Sequence, residues 1–334
     1  MSHEHGRMNY REIAKTGVKV SEVSFGCWTM GGINFTPTGQ SVGWARPDEN
    51  EISEAICAGL DAGVNHFDNA DIYGNGKAER MLTRVLKKLG RKSETLIIAT
   101  KVGHFAGTAE HAYHPFHIKR QFEQSLINLG RDYIDIYYFH HGDFGKDDRY
   151  LDGAVKVMDE LHSEGKIRVK GLSAYSSADF TRLVPVIKPH VLQSWAHALD
   201  DQFIREDSEV DHLLKVQGLS FVAFSPLAQG ILLDKYDPDK PVKFEAGDNR
   251  QNGYWFQPDN LRKLKPKLST LKERFGSTPE QLARMSLQYV LHNPRVACVI
   301  PGFRNLHQAQ CNISASHPPL TDDDIRFISD TLKK

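Results

Sequence analysis

Residues 95–139 read TLIIATKVGHFAGTAEHAYHPFHIKRQFEQSLINLGRDYIDIYYF. Two short apolar runs, TLIIAT (95–100) and YIDIYYF (133–139), flank an amphipathic stretch, IKRQFEQSLINLG (118–130), which ends in a glycine suited to a helix C-cap. The runs are rich in Ile, Tyr and Phe, as strands prefer. They are apolar at successive positions, the pattern of a parallel strand covered on both faces. Strand, helix and strand in this order predict a βαβ unit.

The alternation continues in both directions. Upstream lie Val23–Phe25, ending at Gly26, and Asn65–Phe67. Downstream lie RVKGLS (168–173), HVLQSW (190–195), LSFVAF (219–224) and VACVI (296–300), which makes eight runs in all. Amphipathic stretches separate them, at 49–63, 78–89, 153–165, 177–187 and 278–292; the last opens with a Thr cap and a Pro in its first turn. Eight strands alternating with helices over ~300 residues predict a closed (β/α)8 TIM barrel, with an open doubly wound sheet as the alternative. Before the first core strand, MNYREIAKTGVKVSEV (8–23) predicts a hairpin around Lys15-Thr16-Gly17 that caps the barrel base. Residues 226–277 form a long insertion after the seventh barrel strand, with Tyr254, Trp255 and Phe256 followed by a helix near 258–275. A connection of that length in a compact domain is a candidate lid. Residues 1–8 are expected to be a flexible leader, with Met8 as an alternative start, and residues 9–334 a single domain.

Of 334 residues, 42 are basic and 42 acidic, so bulk charge steers the chain neither to nucleic acid nor to anionic lipid. The four cysteines, Cys27, Cys57, Cys298 and Cys311, show no CxxC spacing, which excludes zinc-ribbon and thioredoxin readings. So few cysteines suit a reducing compartment. The polar N-terminus lacks a signal-peptide core, and no apolar run approaches the ~18 residues of a membrane span. A soluble cytoplasmic protein is expected. GNGKAE (74–79) lacks the third glycine of a dinucleotide fingerprint. His104, His111, His114 and His117 crowd one loop, and the last three are spaced for one helix face, but Pro115 argues against a regular helix there. No metal is expected; a lid loop is.

In a barrel, chemistry sits at the C-terminal ends of the strands. Gly26-Cys27-Trp28, Asp68, Lys101, His140, Ser173, Gln193, Phe224-Ser225 and Pro301-Gly302 occupy those positions. Neighbouring strands lie ~4.8 Å apart, so Asp68 and Lys101 are placed to pair. If Tyr73 folds back over them, the cation should favour its phenolate and lower its pKa, making a general acid. His140 beside it would polarise a carbonyl. The alternatives are a packing role for Tyr73, and Asp71 in place of Asp68 as the lysine's partner. Proton donor, charge and carbonyl binder suit carbonyl reduction, given a source of hydride.

At these residues the sequence resembles the aldo-keto reductases, the microbial NADPH-dependent members most. HFDNADIYGNGKAERMLTRVL (66–86), with Glu79, looks like the family's Asp-plus-Tyr signature; ATK (99–101), YIDIYYFH (133–140), GLS (171–173), Gln193, FSPLAQG (224–230) and IPG (300–302) follow in order. The resemblance spans roughly residues 9–330. It implies a barrel that binds NADPH without a Rossmann domain and reduces small-molecule aldehydes or ketones, with Asp68, Tyr73, Lys101 and His140 as the catalytic set. It implies that Gly26 and Trp28 border the nicotinamide and substrate, that Ser173 and Gln193 hold the carboxamide, and that Phe224 stacks on the ring. Ser225, Leu227 and Gly230 would cover the pyrophosphate. Gly302, Arg304, Gln308 and Asn312 would surround the adenosine, with Arg304 at the 2′-phosphate. A monomer is implied as well. Ala174 stands where many members have Asn, Cys311 where an acidic residue often meets the adenine amine, and His-Gly-Asp (141–143) where many read Trp-Pro-Asp. Two other functions compete: a Schiff-base enzyme using Lys101, and a non-turnover redox-sensing subunit like the barrel subunits of potassium channels, which the chain also resembles.

Overall fold

The computed structural model describes residues 8–36, 39–240 and 242–333. Two strands, β1 (Tyr10–Glu12) and β2 (Lys19–Ser21), pair antiparallel as the expected hairpin. Eight parallel strands follow: β3 (Phe25–Gly26), β4 (His66–Asp68), β5 (Ile97–Val102), β6 (Ile134–Phe139), β7 (Ile167–Ser173), β8 (Val191–Trp195), β9 (Ser220–Phe224) and β10 (Val296–Ile300). Each pairs with its neighbour in sequence, and isolated parallel bridges, Val23 to Val299 and Gly26 to Gly302, bring the first against the last. A doubly wound sheet would reverse its strand order at a switch point; here the order runs once around and the barrel reading holds. Gly26 allows the closure, because a Cβ there would lie 2.6 Å from the carbonyl oxygen of Ile300.

The barrel interior is a packed core. Ala99, Ile136, Tyr138, Val169, Val191, Val222, Ala297 and Cys298 fill it, and Ile13, Val18 and Val20 of the hairpin join the same cluster from below. The hairpin therefore plugs the base and leaves the opposite, C-terminal end of the strands open. Met8, the last residue of the expected flexible leader, is 5% exposed and belongs to the core; the rest of that leader lies outside the described residues.

The helices follow the sequence periodicity. Asp48 caps the helix at Glu49–Asp61 through the amides of Asn50 and Glu51, and Gly130 ends Pro115–Leu129 in the left-handed conformation. Pro115 opens that helix rather than excluding it, because the first helical N–H needs no partner. The helix thus takes His117 and leaves His111 and His114 outside, with His111 stacked on Tyr150 at 4.7 Å. The insertion after β9 holds a helix at Pro258–Phe275, as expected. Helices at Glu209–Gln217, Leu306–Ser314 and Asp322–Lys333 complete the outer layer. No helix of the described residues is long and apolar enough to cross a membrane.

His66 on β4 is fully buried, with Nδ1 3.5 Å from the Cys298 thiol and Nε2 without a partner. Burial first, and the Lys101 charge after it, push its pKa down to about 4, against the opposing pull of Asp68. The unfolded chain, with a pKa near 6.5, then binds this proton before the native state does, so stability falls as pH drops through that window. From about pH 7 to about pH 5 the loss from this group is about 2 kcal/mol. In urea unfolding, His66→Gln should lose about that much less stability than the parent over the same pH interval.

Candidate active site

β4 and β5 set the register of the site. Asp68 stands opposite Ala99, and Lys101 follows two residues on. The chain leaving β4 runs along the end of β5, with the amides of Asn69 and Asp71 donating to the carbonyls of Ala99 (2.8 Å) and Lys101 (3.3 Å). That path brings Tyr73 back over the lysine. The Lys101 ammonium, 0% exposed, donates to Asp68 Oδ2, to the carbonyl of Asn69 at 2.7 Å and to the Tyr73 hydroxyl at 3.2 Å. Gln193 Nε2 donates to the other Asp68 oxygen at 2.8 Å, fixing the carboxylate from across the barrel.

Asp71 is not the lysine's partner. Its carboxyl oxygens are buried without a hydrogen bond, and burial, then Glu79, raise its pKa well above the carboxylate range. Glu79 is raised too, by burial, although Thr100 Oγ1 (2.7 Å) and Asn128 Nδ2 (2.8 Å) donate to it. Glu79 ties the helix at Lys77–Lys88 to β5 and to the next helix, which holds the Tyr73 loop from behind.

The expectation that Lys101 lowers the Tyr73 pKa is corrected. Burial raises it well above 10, with Asp68, Cys27 and Asp71 adding to the rise. The lysine's charge is spent on the contacting carboxylate, so burial outweighs it. At neutral pH the Tyr73 hydroxyl is therefore protonated. The ring stacks on Trp28 at 6.2 Å, and Trp28 Nε1 donates to the carbonyl of Val42 at 3.0 Å. His140 meets the tyrosine edge-on at 6.0 Å. Its pKa is pushed well below the ordinary range by burial, then by His104, Lys101 and His141, so the imidazole is neutral. His104, 4.2 Å from His140 and 3.2 Å from the Tyr175 hydroxyl, is pushed down to about 3 by burial first.

These groups border a cleft of about 450 Å³ at the barrel mouth. Asp68, Tyr73 and His140 line it, and Lys101 sits beneath. Gly26, Trp28, Gln193, Phe224, Ser225, Leu227, Gly230, Gly302, Arg304, Gln308 and Asn312 line it as well. Ser173 does not reach the surface of the cleft: it is 1% exposed, paired in register with Gln193, and its hydroxyl has no partner. At the far side, Asn305 caps the helix at Leu306–Ser314, Gln308 Oε1 accepts from the Arg304 amide at 2.9 Å, and Asn312 Nδ2 donates to the Gly302 carbonyl at 3.2 Å. Ser225, Ala228 and Gln229 adopt the left-handed backbone, a concentration of strain typical of ligand sites.

The insertion forms one wall and contributes residues that sequence reading missed. Its backbone is joined to the loop after β3: the amide of Gly43 donates to the Gly247 carbonyl and that of Asn249 to the Gly43 carbonyl, both at 3.1 Å. Arg250 is held by Asp248 and lies 4.4 Å from the rings of both Trp44 and Phe244. Lys235 is exposed overall, but its ammonium crowds Gly230, and burial and the charges of Arg250 and Arg304 lower its pKa. Three cations therefore gather at one end. Nothing local marks Lys235 or Arg250 in a segment rich in charged residues; only the fold of the insertion selects them. An ultraviolet difference titration of the parent against Tyr73→Phe should show no phenolate from Tyr73 up to about pH 10, the ordinary tyrosine pKa.

The model of the aldo/keto reductase family matches residues 22–333. An uncharacterized oxidoreductase of Bacillus subtilis (strain 168) is 26% identical over 98% of this chain and 97% of its own length. A probable voltage-gated potassium channel subunit beta of Arabidopsis thaliana is 28% identical over 92% of this chain and 91% of its own. Among solved structures, the holo form of an aldo-keto reductase from Bacillus halodurans superposes with a TM-score of 0.73 and 26% identity, covering 97% of this chain and 96% of that one.

Proposed function

The chain belongs to the aldo/keto reductase family of oxidoreductases, and on that premise we propose that it is an NADPH-dependent reductase of small-molecule aldehydes or ketones. The observation that carries this reading is the Tyr73 hydroxyl, 3.2 Å from a fully buried ammonium and beside a neutral imidazole, on the wall of a cleft whose other end is cationic.

The residues fit a nicotinamide dinucleotide. Gln193 lines the cleft where a carboxamide would lie, with the unpartnered Ser173 hydroxyl buried behind it. Phe224 offers a ring face, and Lys235, Arg250 and Arg304 suit phosphates. Ala174, in place of the common Asn, contributes backbone only, its carbonyl accepting from Ser194 Oγ at 2.7 Å. When bound, NADPH supplies the hydride. Tyr73 delivers its proton to the carbonyl oxygen as negative charge builds there, and Lys101 stabilises the phenolate that remains. With its proton on Nε2, the neutral His140 would donate to the same oxygen. Lys101, with no exposure and three acceptors around it, is poorly placed as a Schiff-base nucleophile.

The similarity to a potassium channel subunit favours one second reading, a barrel that binds cofactor and turns over rarely. Steady-state against single-turnover oxidation of NADPH separates the two: catalytic cycling over many equivalents of a carbonyl panel supports the reductase, and a single equivalent refutes it.

Tyr73→Phe should reduce carbonyl reduction by at least ~10²-fold while NADPH binding survives. Lys101→Met should act on the same step, so the double variant should lose far less than the product of the single losses. A product-sized loss would separate the two residues. Arg304→Ala should weaken NADPH by ~1.5–3 kcal/mol and leave NADH nearly unchanged in equilibrium binding; equal losses would refute the 2′-phosphate role.

A further inference from the structure

Cys311 departs from the acidic residue expected at its position, and the structure shows what it faces. His307 and Cys311 stand four residues apart on the helix at Leu306–Ser314, so they share a face. Glu280, in the first turn of the helix at Pro279–Leu291, meets that face. The Cys311 Sγ lies 3.4 Å from Glu280 Oε1 and 3.9 Å from His307 Nδ1, and that same nitrogen lies 4.0 Å from Glu280 Oε1. Among the described residues this is the one group of three such side chains whose ligand atoms all lie within 4.8 Å of one another. Tetrahedral zinc with Cys and His ligands puts neighbouring ligand atoms about 3.3–3.6 Å apart. The triangle is only slightly wider than that. Cys311 is 6% exposed, whereas His307 and Glu280 reach the surface.

We propose that Glu280, His307 and Cys311 form a three-ligand site for a thiophilic divalent cation, zinc first, whose occupancy excludes the adenosine end of the dinucleotide. One thiolate, one imidazole and one carboxylate with a fourth position open is a zinc donor set. Binding breaks the S–H bond, forms the metal–sulfur bond and releases the proton to solvent. Affinity therefore rises with pH. His307 and Cys311 line the same end of the cleft as Arg304, Gln308 and Asn312. The competition, though not the metal site itself, rests on the cofactor assignment proposed above.

The chelator-treated full chain is titrated with Co²⁺ in a spectrophotometer and with Zn²⁺ in a calorimeter, alongside Cys311→Ser and His307→Gln. One equivalent should bind with a near-ultraviolet thiolate-to-cobalt charge-transfer band. Cys311→Ser should abolish the band, and each variant should lower zinc affinity at least about 10-fold, the lower end of what loss of even an outer partner costs. No band in the parent, or zinc affinity unchanged in both variants, overturns the site. His307→Gln keeps the test decisive if Cys311→Ser does not fold. In a second arm, NADPH binding is followed by its fluorescence with and without one equivalent of zinc. Weaker binding with zinc supports the competition, and unchanged binding overturns it. Failure of NADPH to bind in either case refutes the cofactor reading and the competition with it, while the cobalt band still decides the metal site.

Discussion

A lysine ammonium with no exposure to solvent is the constraint on which the site depends. An unpaired buried cation is prohibitively costly, so each hydrogen of Lys101 must find an acceptor inside the barrel. Asp68, the Asn69 carbonyl and the Tyr73 hydroxyl supply them. This requires β4 and β5 in their observed register, and it requires residues 69–73 to turn back over the end of β5. Gln193, from the opposite side, then orients the carboxylate. Removing the lysine would leave Asp68 as a buried anion, and the tyrosine would lose what sets its position.

Around that pair, burial outweighs charge. Asp71 and Glu79 are raised, and His104 and His140 lowered, each chiefly by loss of water. Nearly every ionisable neighbour is thus driven toward its neutral form, and the Lys101–Asp68 pair remains the charged feature. A site of this kind has little charge of its own to oppose or pre-empt charge that develops during a reaction. The opposite end of the cleft differs: Lys235 and Arg304 make it cationic, beside an Arg250 that Asp248 pairs with and the rings of Trp44 and Phe244 hold in place. One cleft therefore joins a neutral, aromatic half to a half suited to phosphate.

The insertion and the loop after β3 are what make it a cleft. Their shared backbone hydrogen bonds at Gly43, Gly247 and Asn249 brace the two walls against each other across the mouth. The His-Gly-Asp departure acts on the neutral half, where His141 Nε2 lies 2.6 Å from the Gly103 carbonyl and its ring is 5.0 Å from that of His104. The Cys311 departure acts at the other end, where it turns an expected adenine contact into part of a Glu, His and Cys triangle.

The strands, most of the helices, the base hairpin and the helix in the insertion were legible in the sequence, because apolar periodicity, caps and turn residues are short-range signals. Asp68, Lys101 and His140 were legible for a related reason: a barrel places chemistry at strand ends, so knowing the strands locates those positions, whereas Tyr73, in the loop beyond β4, depended on how that loop turned back. Pro115 shows the limit of such local rules, since the same residue breaks a helix interior and opens a helix start. What only the tertiary structure decided are the pairings between distant segments. Gln193 reaches Asp68 from 125 residues away, Arg250 lies over Trp44, and Glu280 meets Cys311. No periodicity encodes these, because they depend on how irregular loops and neighbouring helices settle against one another. The direction of the Tyr73 shift was likewise beyond the sequence. One cation can be read from a motif, but desolvation is summed over every group that excludes water, and those groups come from the whole barrel mouth.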